Sequence, residues 1–451
     1  MPKFNELQNE LEKAYNRVKK PLKERGNFLI LADKSVDGIA SAAIMYRVIS
    51  GRGARAAVKF HEAYAPVSQS VKAYSADATI ALDMGGDTVN ELGSQGLLVS
   101  IDKEASSGIN GEAFGFDGSS DVSCATLSYM FAKIALEEGF GLATLAVIGS
   151  LGDWQDVGDK RNLISLNEAA LNEANLKEVI GIEERLEFPL GQLLPLHRSL
   201  TLSVDPYITG LTGNPRAALS YISQAGVELK KEDRFKTAYD LSPEELAKIE
   251  SSLQELIQDK SEPLKRLSFF SMSEDRISPI WNLRDHSLLS QILIASGRYE
   301  EAFMLMLGAH RDLFSSSLDS LIKELENLIS RFNRMLADQL RRIVTHSIIN
   351  IYGDNLFTAM EAPLILRWAA LLPDFRGKTI IVQTSLDSNS IFSINNIKKD
   401  MYLDVRKLAK DFHGSVKGNG RYMTASTPIF KGSSFLEKLR ELLQESEAGV
   451  P

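Results

Sequence analysis

The chain has 451 residues, too many for one ordinary hydrophobic core, so two or three domains are expected; its 44% hydrophobic and 24% charged content is ordinary globular composition. A net charge of −8 argues against non-specific coating of DNA but allows a local basic groove, and a single cysteine, Cys124, excludes a disulfide framework or a cysteine-based zinc site. No apolar run reaches the roughly 18 residues of a membrane span, and the charged start MPKFNELQNELEKAYNRVKKPLKERG lacks the apolar stretch of a signal peptide, so a cytoplasmic location with no membrane partner is expected.

Residues 1–26 predict a lead-in helix with Phe4, Leu7, Leu11 and Tyr15 on one face. Strand Phe28–Ala32 follows, then a helix over Gly38–Ile49 and a strand over Ala54–Phe60. Ala78–Leu82 and Leu97–Ile101 are short apolar runs of the kind buried in parallel sheets. Ser123–Leu136 reads as a helix and Leu142–Leu151 as another strand. This alternation predicts an α/β domain with a mostly parallel sheet over residues 1–200. From Asp205 the character changes: DPYITGLTG is rich in turn formers. Ser242-Pro243-Glu244-Glu245 is a helix start, with an N-cap serine, proline at the first position and a glutamate placed to reach back. A helix pair follows around Gly297, and Leu318–His346 carries one long helical pattern, read as a core helix with a coiled-coil partner as the alternative. Residues 201–350 are thus a helical middle region. Residues 351–451 return to α/β character: helix Ala359–Leu372, strand Thr379–Gln383, and helices Met401–Phe412 and Ser434–Leu443.

Four segments run an apolar stretch into an aspartate: FLILADKSVDGIAS at Asp37, IALDMGG at Asp83, LLVSIDKEAS at Asp102 and LAVIGSLGDWQD at Asp153. Strand ends line up at one edge of a parallel sheet, where ligands bind, so these acids are expected in one cleft. Clustered carboxylates repel, and such a cleft must hold a metal, a fixed basic side chain or shared protons. Taken singly, Asp37 before Gly38 is equally a helix cap, and Asp83 before Gly85-Gly86 equally a turn residue. There is no Ser/His/Asp triad and no P-loop; Gly51, Gly53, Gly85 and Gly86 are isolated turn glycines. Cys124 reads as a small buried residue.

In order, spacing and flanking strands, this pattern resembles the DHH phosphoesterase superfamily, and within it the archaeal RecJ-like proteins. The likeness extends to the DPYITGLTG loop, to LRDHSLLSQILIASGRYEEAFMLMLG and to a C-terminal region like the DHH-associated domain. The resemblance implies a site in which active members hold two manganese ions that activate water against a phosphodiester. Against the family's H-x-D-x-D-G motif, this chain reads Asp33-Lys34-Ser35-Val36-Asp37-Gly38, keeping only Asp37 and Gly38. The second motif's aspartate is kept as Asp83 and the fourth's as Asp153, while D-H-H reads Asp102-Lys103-Glu104, without either histidine. The family's C-terminal phosphate-holding motifs fall on Ser393-Ile394-Asn395, without the arginine, and on Asn419-Gly420-Arg421, without the histidine.

The six histidines, His61, His197, His286, His310, His346 and His413, all lie away from the four acidic segment ends; only His61, just after the candidate strand Ala54–Phe60, is placed to approach the cleft, and one imidazole would not rebuild a two-metal site. A neutral imidazole is the usual means of holding a transition metal beside carboxylates. Lys103 stands where the resemblance places an imidazole, and a protonated amine has no lone pair to give a metal. At ~4 Å and an effective dielectric of ~20, an ammonium contributes about 4 kcal/mol of Coulomb energy to one carboxylate before desolvation. Lys103 is therefore expected to pair with Asp37, Asp83 or Asp153 in the metal's place; a solvated surface lysine is the plainer alternative. Glu104 and Asp156 are further acids in these segments. Arg421 and Lys417 suit either a phosphate contact or a solvated basic loop, and Trp154 either base stacking or packing.

The resemblance then implies a RecJ-like scaffold subunit with vestigial acids Asp33, Asp37, Asp83, Asp102 and Asp153 beside Lys103, no cofactor, and GINS and the MCM helicase as partners. The alternative is a single-strand-specific exonuclease with one Mg²⁺ or Mn²⁺ on Asp37, Asp83, Asp102 and Asp153. A silent groove that still holds single-stranded DNA is compatible with the scaffold reading.

Overall fold

The structure, a computed structural model, describes residues 2–61, 74–85, 92, 97–103, 108–136, 139–257, 263–308, 311–345, 347–396, 401–418 and 422–448. Glu104, the Asn419-Gly420-Arg421 loop, His310 and His346 lie outside them.

Strands β1 (Asn27–Asp33), β2 (Arg55–His61), β3 (Ala78–Leu82), β4 (Leu98–Asp102) and β5 (Ile109–Asn110) form one sheet in the order β2-β1-β3-β4-β5, parallel throughout. Alternation along β1 sends Phe28, Ile30 and Ala32 into the main core and Leu29 and Leu31 into a smaller cluster on the other face. The main core is built by helices Pro2–Lys23, Val36–Gly51, Cys124–Ala135 and Ala143–Gly152.

Leu142–Leu151, expected as a strand, is helical instead: Leu142 is the N-cap of the helix Ala143–Gly152. Residues 143 and 145–152 are all buried, so the helix is apolar all round and carries no 3.6-residue signature to tell it from a buried strand. Its glycines decide its packing. A Cβ at Gly149 would stand 2.5 Å from the Ala125 Cβ, and one at Gly152 would stand 2.3 Å from the Val36 Cβ. The backbone thereby approaches both neighbouring helices.

The middle of the chain has its own small core, from Leu186 to Leu264, around helices Leu196–Leu202, Pro215–Gln224 and Pro243–Leu256. The predicted start at Ser242 is a capping box: Ser242 Oγ accepts from Glu245 N and Glu245 accepts from Ser242 N. Strand β6 (Ile180–Leu186) pairs antiparallel with β9 (Lys265–Ser271), and β7 (Lys230–Lys231) with β8 (Arg234–Phe235). The long helix runs over Arg311–Ala337 and buries Leu321, Leu325, Leu328, Phe332 and Met335 in the chain's own main core. It stops short of His346: β10 (Arg342–Val344) replaces the expected helical end, because Arg341-Arg342-Ile343-Val344 brings β-branched residues into a hairpin with β11 (Ile348–Tyr352).

β12 (Thr379–Leu386), β13 (Asn389–Asn395), β14 (Ser415–Gly418) and β15 (Tyr422–Pro428) complete a second sheet, ordered β10-β11-β12-β13-β15-β14. Ile349, Ile351, Ile380 and Val382 join helix Ala362–Ala370 and the main core. Ile348, Ile381, Phe392 and Ile394 face helices Tyr402–Asp411 and Gly432–Ala448. The main core is thus continuous from the first sheet to one face of the second. No helix among the described residues is long and apolar enough to cross a membrane.

Candidate functional site: an acidic crevice filled by two lysines

Chain order reverses between β1 and β3, and in open parallel sheets the crevice beyond such a reversal is where ligands bind. The acids gather there. Asp33 is the last residue of β1, Asp83 follows β3 directly and Asp102 ends β4. Asp37 and Asp153 arrive otherwise than expected. Asp37 lies in the first turn of helix Val36–Gly51, and Asp153 caps the C-terminal end of Ala143–Gly152, so neither is at a strand end.

Local chemistry fixes each one. Ser35 caps the helix by accepting from Gly38 N at 2.9 Å and donates to Asp83 Oδ2 at 2.9 Å. Gly38 is required because a Cβ there would stand 2.5 Å from the Asp33 carbonyl oxygen. Asp37 is fully buried, and its carboxylate sits on the N-terminus of helix Cys124–Ala135, accepting from Ala125 N at 2.8 Å and Cys124 N at 2.9 Å. Asp102 accepts from Gly85 N at 2.9 Å. The loop carrying Asp153 is tied down by Gln155, which binds Asn167 and the Gly118 carbonyl.

Two ammoniums stand among these acids. Lys103 Nζ lies 3.3 Å from Asp37 Oδ2 and 3.1 Å from Asp83 Oδ1, and it contacts Asp153 Oδ2. Lys417 reaches over from β14 of the second sheet, contacts Asp33 and lies 3.1 Å from Asp83 Oδ2. Fully buried Asp83 therefore bridges the two cations, one on each oxygen. Arg367, on helix Ala362–Ala370, stands 3.7 Å from Asp153 Oδ1. Burial pushes Asp37 up to about 7, with Asp153 and Asp83 adding to it against the pull of Lys103. Burial also acts to raise Asp83, but Lys103 and Lys417 outweigh it and bring this carboxyl down to about 2. On Lys417, burial opposes the charge, yet Asp33 and Asp83 prevail and hold it well above the usual lysine range.

Around this floor the lobes enclose a cavity walled by Trp154, Ile294, Met360, Leu364, Tyr422 and Met423. Trp154 is 9% exposed, and its Nε1 is buried without a hydrogen-bond partner. The Arg367 guanidinium lies 5.7 Å from its ring centroid and 4.8 Å from that of Tyr422. Trp154 thus has both a packed face and a cavity face. Lys417 is committed to acids of the other lobe. Ser393 Oγ is buried without a partner, while Asn395 accepts from Ile380 N at 2.7 Å in a structural bond. Asp156 is paired to Arg284 at 2.6 Å, and His61, opposite Asp33 in the β1–β2 register, does not line the crevice. Arg367 and Tyr422 had no local signal beyond a lone arginine in the apolar run LILRWAA.

The dimanganese pair implied by the resemblance does not fit this donor set. The space between Asp37, Asp83 and Asp153 holds the Lys103 ammonium, and that between Asp33 and Asp83 holds Lys417. A divalent ion at either point would stand against a buried cation, and among the described residues no histidine lines the cavity.

The sequence of residues 191–268 matches the model of the DHH-CID domain. No curated protein matches the chain. Among solved structures it is similar to CDC45 from Entamoeba histolytica, at 13% identity over 97% of this chain and 99% of that one, with a TM-score of 0.64. It is also similar to RecJ in complex with Mn²⁺ from Thermus thermophilus, at 12% identity over 98% of this chain and 55% of that one, with a TM-score of 0.56. An exonuclease RecJ bound to manganese aligns at 13% identity over 98% of this chain and 95% of that one, with a TM-score of 0.53. The chain therefore has a fold similar to that of the CDC45 and RecJ structures, and its residues 191–268 match the DHH-CID domain model.

Proposed function

We propose that the chain is a catalytically silent, RecJ-like scaffold subunit of an archaeal replicative helicase assembly, with GINS and MCM as its partners and no cofactor. The observation that carries this reading is the pair of ammoniums, Lys103 and Lys417, set among the crevice acids. A two-metal phosphodiesterase clamps the attacking and leaving oxygens with its ions, and losing that clamp removes many powers of ten in rate. The likeness to CDC45 along the whole chain supports an architectural role. GINS and MCM come from the resemblance in the sequence.

The retained Asp37, Asp83, Asp102 and Asp153 favour a second reading, an exonuclease with one Mg²⁺ or Mn²⁺. It requires Lys103 to leave three carboxylates. Incubation of the full chain with labelled single-stranded DNA and RNA in Mn²⁺ separates the two. The scaffold reading expects intact strands; turnover abolished by Asp83→Ala overturns it. Pull-down with purified GINS tests the partner, and absence of binding at micromolar protein removes that part of the proposal.

A further inference from the structure

The second sheet begins at β10, an edge strand whose outer side meets no other strand among the described residues. Proteins usually blunt such edges with charge, proline or cover. Here Leu340 is 93% exposed, Val344 52% and Ile343 43%, three aliphatic side chains within five residues. The hydrogen-bond alternation defines what the edge offers. Thr345 N donates to Ile348 O, so Thr345 and Ile348 are a bonded pair. In an antiparallel ladder bonded and non-bonded pairs alternate, so Val344, opposite Ile349, turns its N–H and C=O outward, and Arg342, opposite Ile351, turns its C=O outward while its N–H donates to the Gln339 carbonyl.

We infer that β10 is a docking edge for an extended acidic and aliphatic peptide segment of a partner protein, which adds as a seventh strand to the second sheet. The Arg342 C=O and the Val344 N–H and C=O, all outward, call for a strand, because an extended segment matches their spacing. The exposed aliphatics call for alternate apolar side chains. The charge requirement comes from Arg341 and Arg342, between Leu340 and Ile343, and from Arg376, exposed just beyond Phe375, the ring under the Arg342 guanidinium; beside them Asp338 lies 3.3 Å from Arg341. A second copy of this chain is a poorer occupant: antiparallel self-pairing about Ile343 would set Arg342 of each copy opposite Val344 of the other and make the two Arg342 side chains diagonal neighbours of like charge. The inference rests on the second sheet and is independent of whether the crevice is silent.

The test uses the full chain and two fluorescein-labelled nine-residue synthetic peptides, one alternating valine or isoleucine with glutamate, the other with lysine in place of glutamate. Fluorescence polarisation is expected to detect the acidic peptide and at least a tenfold weaker response to the basic one. Val344→Pro removes an outward donor while leaving the ladder bonds to β11 in place, and is expected to weaken the acidic peptide at least tenfold with an unchanged melting temperature. Arg341→Glu is expected to weaken it similarly through charge. Equal binding of both peptides, no binding of either, or an undiminished response in a folded Val344→Pro or Arg341→Glu variant overturns the proposal. A concentration-dependent dimer in sedimentation that Val344→Pro abolishes overturns it in favour of a second copy.

Discussion

Substituting Lys103→Met isolates the charge at the centre of the crevice, since methionine keeps an unbranched apolar stem and removes the ammonium. The ammonium lies 3.3 Å from Asp37 and 3.1 Å from Asp83 and also contacts Asp153, and both Asp37 and Asp83 are fully buried. One such contact contributes about 4 kcal/mol of Coulomb energy at ~4 Å and an effective dielectric of ~20, before desolvation. Removing one partner of a buried ion pair costs ~3–5 kcal/mol, because the remaining charge stays buried and unpaired. With roughly 5–15 kcal/mol holding a typical folded chain, that is a large share of the total. At ~2–4 °C per kcal/mol, the melting temperature is expected to fall on the order of 10 °C at pH 8. The pH dependence carries the mechanism. Asp37 is raised from 3.8 to about 7 in the fold, so between those values the native state holds a proton the unfolded chain has lost. Stability from this group therefore falls as pH rises through that window. Without Lys103, which pulls Asp37 down, the crevice acids protonate more readily, so the variant's deficit is expected to narrow as pH drops from 8 to 5. Thermal melts followed by circular dichroism at pH 5, 6, 7 and 8 read both quantities. A variant melting within about 1 °C of the parent at pH 8 would refute the reasoning, as would a deficit that widens toward pH 5.

Lys417→Met removes the cation that ties β14 to Asp33 and Asp83. It is expected to loosen the lobes, seen as faster limited proteolysis and a larger radius of gyration in small-angle scattering, while Lys438→Met, at an exposed lysine that pairs with Glu441 one helical turn away, changes neither. Gly149→Ala would place a Cβ 2.5 Å from Ala125 Cβ and 2.9 Å from Asp37 Oδ1, and such overpacking is expected to cost ~1–3 kcal/mol in urea titration. Asp83, lowered from 3.8 to about 2, contributes stability that is complete above pH 3.8 and lost as pH falls toward 2. Asp83→Asn is therefore expected to flatten the acid limb of the stability profile over that interval.

Much of the first sheet is written in short apolar runs. β3 occupies Ala78–Leu82 as expected, and β1, β2 and β4 differ from expectation by a residue or two, because buried parallel strands are continuous apolar segments with sharp polar ends. Ser242 announces its helix because a capping box is a local hydrogen-bond pattern. Ala143–Gly152 misled because burial on every side erases periodicity. The long helix was traced too far because nothing at Ala337 interrupts its apolar spacing strongly enough. At the site, Asp37, Asp83, Asp102 and Asp153 are visible at the ends of apolar runs, and Lys103 stands out as a cation directly after one of them. The position of Lys417 against Asp33 and Asp83 is not, because that contact spans more than 330 residues and depends on how the two lobes meet. Arg367 and Tyr422 enter the cavity through the same long-range packing.

The tethered ammoniums of Lys103 and Lys417 stand between the crevice acids and leave them no demand for a dissolved cation. Calorimetric titration of the full chain with Mn²⁺ at pH 7.5 addresses this directly. The account predicts no binding in the micromolar range for the parent. Micromolar uptake of manganese that disappears in Asp83→Ala would contradict it.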